Sequence, residues 1–180
     1  MYQANHRNKY KESAWQCFNQ IKDVVAQPIY GITDNHKSIK KNMVFAAIPG
    51  ASFDPRTKID EALGCGAAAV VYDNSDGWQS TNSNIKQLIG IENLDNKIGF
   101  LADFIYHKPS SHLRLLGTTG TNGKTSISWA LANSINSLSE KAGIIGTLGW
   151  GFPPEIHPQK LTTPTACELQ QKLHLSLIHI

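Results

Sequence analysis

Apolar positions Tyr10, Ala14, Cys17, Phe18, Ile21, Val24 and Val25 recur at intervals of three and four early in the chain. That spacing predicts an amphipathic helix, and Pro28 ends it. Apolar runs at 29–32 and 43–48 predict two strands around the polar stretch 33–42. A proline-containing turn at 51–58 leads to a short helical stretch at 59–63. The continuous apolar run 67–72 suits a strand buried on both faces. Residues 73–84 are polar and rich in Gly, Ser and Asn, and they read as a surface loop. A strand over 87–92 and a helix over about 96–106 follow, with Ile98, Leu101, Ala102, Ile105 and Tyr106 on one face and Pro109 as its stop.

The pattern restarts after Pro109, so a domain boundary is expected between about His107 and His112. The apolar run 113–116 predicts a strand, and Ile127, Leu131, Ile135 and Leu138 predict the buried stripe of a helix. Residues 142–147 predict another strand. Residues 148–160, with three prolines, read as a long loop. A last helix follows, opened either by Thr163 before Pro164 or by Thr165 with Glu168 as a capping box. Strands and helices alternate on both sides of the boundary, which favours α/β architecture.

Between that strand and that helix lies GTTGTNGKTS, residues 117–126. Glycines let the backbone turn tightly enough for successive N–H groups to face one oxyanion, and a helix start adds unpaired donors. The candidate phosphate-binding residues are Gly120, Thr121, Asn122, Gly123, Lys124, Thr125 and Ser126. In the Walker arrangement the lysine, here Lys124, reaches the β- and γ-phosphates of ATP, and the hydroxyl, here Thr125, ligates Mg²⁺. The general pattern places a glycine where this chain has Thr118, so the match is to a subtype. A Gly/Thr-rich turn without a ligand is the alternative.

Composition narrows the class. Of 180 residues, 41% are apolar and 17% charged, which argues for a globular protein. The net charge of +3 is mild. The one basic group, Arg7, Lys9 and Lys11, reads as a solvated terminus, so no nucleic-acid partner is expected. Cys17, Cys65 and Cys167 are odd in number and in no CxxC pattern, which predicts reduced thiols, buried or half-buried. The histidines, His157 among them, lack a metal-ligand spacing. Trp129 and Trp150 read as packing residues. With no signal peptide or membrane span visible, a cytoplasmic protein without a membrane partner is expected.

TGTNGKT at 119–125, preceded by LRLLG, resembles the ATP loop of the Mur ligases. The folylpolyglutamate synthases share much of that loop. Other segments are similar to the branch of the Mur ligases that adds a diamino acid. TDNHKSIKKNMVFAAIPG at 33–50 aligns without a gap with that branch's uridine-nucleotide segment, and IDEALGCGAAAV at 59–70 fits the pattern that follows. Tyr106, Pro109 and Ser110 fit a YxxPS element, GTLG at 146–149 fits another, and LTTP at 161–164 a third. Where the pattern has Asp-Ser-Arg, this chain has Asn35, His36 and Lys37; Asn42 and Met43 replace a glycine-aspartate pair, and Pro55 a glycine. Lysine keeps the charge of arginine but lacks its planar fork.

The resemblance implies an α/β chain. Residues 1–110 would be a small N-terminal α/β uridine-nucleotide-binding domain, and 111–180 the truncated start of a P-loop α/β central ATP-binding domain, with the C-terminal domain absent. It implies an ATP-dependent amide ligase of peptidoglycan precursor synthesis, with ATP and Mg²⁺. Such an enzyme adds meso-diaminopimelate or L-lysine to UDP-MurNAc-L-Ala-D-Glu through an acyl phosphate. Lys124 would be the catalytic residue, and a monomer is expected. Thr33, Asn35, His36 and Lys37 would contact the nucleotide, and Thr162 and Thr163 the muramoyl peptide. An ordinary surface turn at 33–37, and helix capping at Thr162 and Thr163, remain alternatives. The tail LSLIHI does not resemble the expected continuation, so a fragment with a non-native end, itself inactive, is expected. A folylpolyglutamate synthase, another Mur ligase, an unrelated phosphate-loop kinase and a non-catalytic uridine-nucleotide module are the competing readings.

Overall fold

A computed structural model describes residues 2–80, 84–159 and 162–179. The chain divides into two compact units, Met1–Lys108 and Pro109–Ile180.

The first unit is built on four parallel strands, β1 (Gly31–Thr33), β2 (Met43–Ala47), β3 (Ala69–Asp73) and β4 (Leu88–Ile91), in the order β1-β2-β3-β4. The helices α1 (Tyr2–Val24) and α3 (Leu94–Ile105) pack together and against strands of the sheet. The short helix α2 (Ile59–Gly64) joins Phe45, Ala47 and Val70 in a separate core through Ile59 and Ala62. Covered on both faces, β2 is buried at all five positions, which is why its sequence is a continuous apolar run. The stripes act as their spacing predicts: Ala14, Cys17 and Ile21 of α1 are buried, as are Ile98, Leu101, Ala102 and Ile105 of α3. Helix α1 begins earlier than its apolar stripe, and its first turns are polar.

Local chemistry explains the helix ends. Helix α2 closes on a left-handed Gly66 with φ 87°, whose N–H donates to Leu63 O while Ala67 N–H donates to Ala62 O. That double bond pattern satisfies two terminal carbonyls and favours glycine. Pro55, the departure from the family pattern, opens a 3₁₀ turn, Pro55–Lys58, with Asp54 as its cap, a position where its missing N–H costs nothing. Helix α3 starts at Asn93, whose side chain makes no capping bond. The cap comes from β3 instead: Asp73 Oδ2 accepts the Leu94 N–H at 2.7 Å, and Oδ1 accepts the Ser75 N–H at 2.8 Å. Burial pushes the Asp73 carboxyl up, but these bonds outweigh it and hold it below its ordinary range.

β1 is an edge strand, and Tyr106 closes it. The phenol hydroxyl accepts the Ile32 N–H and donates to the Ile32 carbonyl, both at 3.3 Å. The ring fits because residue 31 is glycine, where a Cβ would stand 2.5 Å from the hydroxyl.

The second unit is smaller in its core. It contains α4 (Lys124–Ser137), an antiparallel meander of β5 (Ile144–Gly146), β6 (Gly149–Phe152) and β7 (Glu155–His157), and α5 (Ala166–His179). Helix α5 packs on the 3₁₀ turn Pro109–His112, and Thr165 Oγ1 accepts the Glu168 N–H at 3.3 Å, so Thr165 rather than Thr163 opens the helix.

Four expectations are corrected here. The run 113–116 is not a strand, and Leu115 and Leu116 are 54% and 71% exposed. An apolar run becomes a strand only where a neighbour completes its ladder, and none of the described strands pairs with it. The stripe on α4 is likewise not buried: Ile127, Leu131 and Leu138 are exposed, Ile135 is half-buried, and the buried residue of the helix is Ala132. Periodicity shows which face is apolar but not what covers it. Residues 148–160 are not a long loop, because β6 and β7 form a hairpin across Pro153 and Pro154. The alternation of Gly149, Trp150, Gly151 and Phe152 has the strand period, and the prolines sit at the turn, outside the ladder. Cys17 and Cys167 are buried, whereas Cys65 is exposed. Residues 81–83 of the polar loop, Lys160, Leu161 of the LTTP element and Ile180 lie outside the described residues.

The Tyr106 closure predicts a coupled pair. Gly31→Ala overpacks the site and should cost about 1–3 kcal/mol. Tyr106→Phe leaves the Ile32 backbone groups unsatisfied and should cost about the same. Since the shortened ring makes room for the methyl, the double variant should lose less than the sum of the two, measured by urea denaturation. Additive losses would contradict the contact.

Candidate functional site

The glycine-rich loop leads directly into α4. Gly123 is the cap residue, left-handed at φ 78°, and a side chain there would be strained although its Cβ would meet only Ile127 Cδ1, at 3.8 Å. The first helical bond runs from Ile127 N–H to Gly123 O at 2.9 Å. The amides of Lys124, Thr125 and Ser126 therefore have no acceptor within the helix. No side chain caps this end, and the first turn carries no acidic residue. Unpaired donors and the positive end of the helix dipole are the conditions for holding an anion.

The rest of the loop is folded over the same end. Lys124 Nζ donates to Gly120 O, so the loop closes into a ring around its own lysine. Thr118 and Ser128 hydroxyls lie 2.9 Å apart, and Ser128 Oγ donates to Lys124 O at 2.9 Å, tying the loop's entry to the helix's second turn. Gly120, Thr121, Asn122 and Gly123 are exposed, as is Ser126, while Lys124 and Thr125 are half-buried. This donor set fits a polyphosphate: three helix-start amides, a primary ammonium and the Thr125 hydroxyl, with no carboxylate among them. Trp129 is half-buried on α4. Trp150 packs against His157 with ring centres 5.1 Å apart, in a hollow of about 380 Å³ that none of the residues 120–126 lines.

In the first unit, residues 33–37 leave β1 at the carboxyl edge of the parallel sheet. Thr33 is buried, and its Oγ1 accepts the Asn35 N–H at 3.2 Å. Asn35 Oδ1 then accepts the Lys37 N–H at 3.0 Å and caps the 3₁₀ turn His36–Ser38. The oxygens of Thr33 and Asn35 thus build the turn, leaving the side chains of His36 and Lys37 to face outward, half-buried and exposed respectively. Residues 33–37 are thus an ordered turn whose outward side chains are free of its internal bonding.

Thr162 and Thr163 are exposed, and neither caps α5. Gln159 ties their loop down: its Nε2 donates to Gly146 O at 2.8 Å and to Thr162 O at 3.4 Å, and its Oε1 accepts from the buried Lys172 at 2.7 Å.

Arg56 is the residue that pattern reading missed. It is 6% exposed and uses its whole donor fork. Nε and Nη2 bind Asp54, Nη1 and Nη2 bind Asp76 at 2.8 Å each, and Nη1 also reaches Asp73 O at 3.0 Å. Trp78 covers the guanidinium at 5.1 Å. The cluster pins the loop after β2 to the loop after β3. Hydrogen bonding to Arg56 pushes Asp76 down to about 2 and lowers Asp54 as well. The signal was present in Asp54-Pro55-Arg56, a cap, a helix-opening proline and a cation, but its partner Asp76 stands twenty residues away. Among the described residues no helix is long and apolar enough to cross a membrane, and no cluster of His, Cys, Asp or Glu has a metal-binding arrangement.

Fold and site together define an α/β protein with a parallel sheet and a separate unit that presents a glycine-rich loop at an uncapped helix start. Residues 118–177 match the Mur ligase middle domain. The chain is similar to Mur ligases over most of its length. It is 37% identical over 143 residues to a UDP-N-acetylmuramoyl-L-alanyl-D-glutamate–2,6-diaminopimelate ligase of Pseudomonas putida, covering 79% of this chain and 29% of that protein. It is 41% identical over 139 residues to the ligase of the same name from Coxiella burnetii, covering 77% and 28%. A solved structure of a ligase of that name superposes with a TM-score of 0.63 at 28% identity, covering 85% of this chain and 30% of that one. The chain thus spans under a third of the length of these relatives.

The Arg56 cluster carries a pH prediction. Asp76 has an ordinary value of 3.8 and a folded value of about 2, so the stability it contributes is full above about pH 4 and is lost as pH falls towards 2. The urea midpoint of Asp76→Asn should lie below that of the wild type at pH 6, and the gap should close by about pH 2. A gap unchanged at pH 2 would show that Asp76 acts through something other than its charge.

Proposed function

We propose that this chain belongs to an ATP-dependent amide ligase that joins a diamino acid to UDP-MurNAc-L-Ala-D-Glu. The observation that carries the reading is the start of α4, where unpaired amides, Lys124 and Thr125 converge without an acidic residue. The substrates are those after which the relatives are named, with 2,6-diaminopimelate as the amino acid. The reading concerns a protein of the relatives' length. We assign residues 1–110 to nucleotide binding and 111–180 to the ATP-binding domain, and we place the reaction in the cytoplasm.

A carboxylate is a poor electrophile for amide formation near neutral pH, and phosphorylation corrects this. A carboxylate oxygen of the D-glutamyl residue attacks the γ-phosphorus of ATP, and ADP leaves. The amine of the diamino acid then attacks the carbonyl carbon of the acyl phosphate, inorganic phosphate leaves, and the nitrogen loses a proton. The protein's task is to position the reactants and stabilise the charge on the transferring group. Gly120, Thr121, Asn122, Gly123 and Ser126 present backbone amides to the phosphates, and Lys124 exchanges its bond to Gly120 O for one to a phosphate oxygen. The Thr125 hydroxyl would hold Mg²⁺, which supplies further charge neutralisation. Thr33, Asn35, His36 and Lys37 hold the uridine nucleotide, while Thr162 and Thr163, exposed and tethered by Gln159, meet the muramoyl peptide.

The complete gene product should release ADP and phosphate only when UDP-MurNAc-L-Ala-D-Glu and the diamino acid are both present. Release with folate and glutamate would move it to the folylpolyglutamate synthases. Lys124→Ala should lower kcat by about a hundredfold to a thousandfold or more, the scale for losing one charge-stabilising donor, with an unchanged fold. Retained turnover would remove the assignment.

A further inference from the structure

His36 and Phe53 stand beyond the carboxyl ends of neighbouring parallel strands, His36 after β1 and Phe53 after β2. Their rings lie 5.3 Å apart with an interplanar angle of 38°. Phe53 is 45% exposed. A single exposed phenyl ring needs no explanation in itself, but three features separate this one from a solvated side chain. It lies in the loop beyond the carboxyl end of β2, on the side of an open parallel sheet where ligands bind. Its backbone is fixed, because Gly50 N–H donates to Phe53 O at 3.0 Å and the next residue, Asp54, is locked onto Arg56. Its ring partner belongs to the turn that carries Asn35 and Lys37, so an apolar face and hydrogen-bonding groups occur side by side.

We propose that Phe53, buttressed by His36, is the surface on which the nucleobase of the bound uridine nucleotide stacks. This rests on the reading of residues 33–37 as the nucleotide site and adds a residue to it. Stacking suits the position because a base offers two apolar faces and a polar edge. Phe53 takes one face, and the turn beside it offers the Asn35 amide and the Lys37 ammonium to polar atoms. Losing one base–aromatic contact weakens binding by about tenfold to a hundredfold.

The 180-residue chain can be titrated with UDP and, separately, with ribose 5-phosphate as a base-free probe, using saturation-transfer NMR to find which ligand protons approach the protein. With the wild type, uracil H5 and H6 should receive more saturation than the ribose protons. Phe53→Ala should weaken UDP at least about tenfold and remove that preference while leaving ribose 5-phosphate binding unchanged, and Phe53→Trp should restore both. The exposure of Phe53 lets the variant keep its fold, which an amide spectrum checks. If Phe53→Ala binds UDP with wild-type affinity and undiminished base signals, the stacking assignment is overturned and the nucleotide site stands. If the folded wild type binds no UDP at millimolar concentration, the site reading fails and the stacking assignment with it.

Discussion

A helix start exposes amides that must find an acceptor, and this chain meets that demand in two opposite ways. At α3 the acceptor is built in. The Asp73 carboxylate reaches across from the end of β3 and takes the Leu94 N–H at 2.7 Å. At α4 no side chain does this, no acidic residue stands in the first turn, and the cap is a glycine. The carboxylate at α3 shows what an oxyanion does at such an end. The absence of one at α4, together with a lysine and a hydroxyl, leaves room for an oxyanion from outside.

The parallel sheet of the first unit imposes its own constraint. β1 and β2 are buried along their whole length, so ligands reach this part of the sheet at an edge or beyond the strand ends. The β1 edge is closed by Tyr106, which fills both Ile32 backbone groups. The carboxyl-end loops are held firmly: Thr33 and Asn35 fold one, and Arg56 binds two others together with its full set of donors. Buried charge is therefore concentrated where the loops meet, and its cost is offset because both carboxylates and a carbonyl surround the guanidinium. His36, Lys37 and Phe53 stand outside this bonding, and the rings of His36 and Phe53 pack against each other.

Much of this was legible in the sequence wherever periodicity coincided with a covering partner. The stripes of α1 and α3 and the strands β2 and β3 follow the hydrophobic pattern closely, because each buries its apolar face within the same unit. The same reasoning failed for 113–116 and for the α4 stripe, where an apolar pattern exists but the described residues supply no opposing surface. At the β6–β7 hairpin the prolines of the turn mask the two-residue alternation of Gly149 to Phe152. In the candidate site, the turn of glycines and the helix that opens at Lys124 were readable from local order alone. The Arg56 cluster, the Asp73 cap and the Tyr106 closure were not, since each joins residues far apart in sequence. Local order predicts local geometry, and only the fold reveals which distant carboxylate or hydroxyl completes it.

The central claim is that the open start of α4 receives the phosphates of an adenine nucleotide. An amide shift map of ¹⁵N-labelled chain titrated with ADP and magnesium tests this most directly. The account predicts that the largest displacements fall on Gly120, Thr121, Gly123, Lys124, Thr125 and Ser126, while the Leu94 amide at the already capped α3 start stays in place. No displacement in the loop at millimolar ADP, or equal displacement at both helix starts, would contradict it.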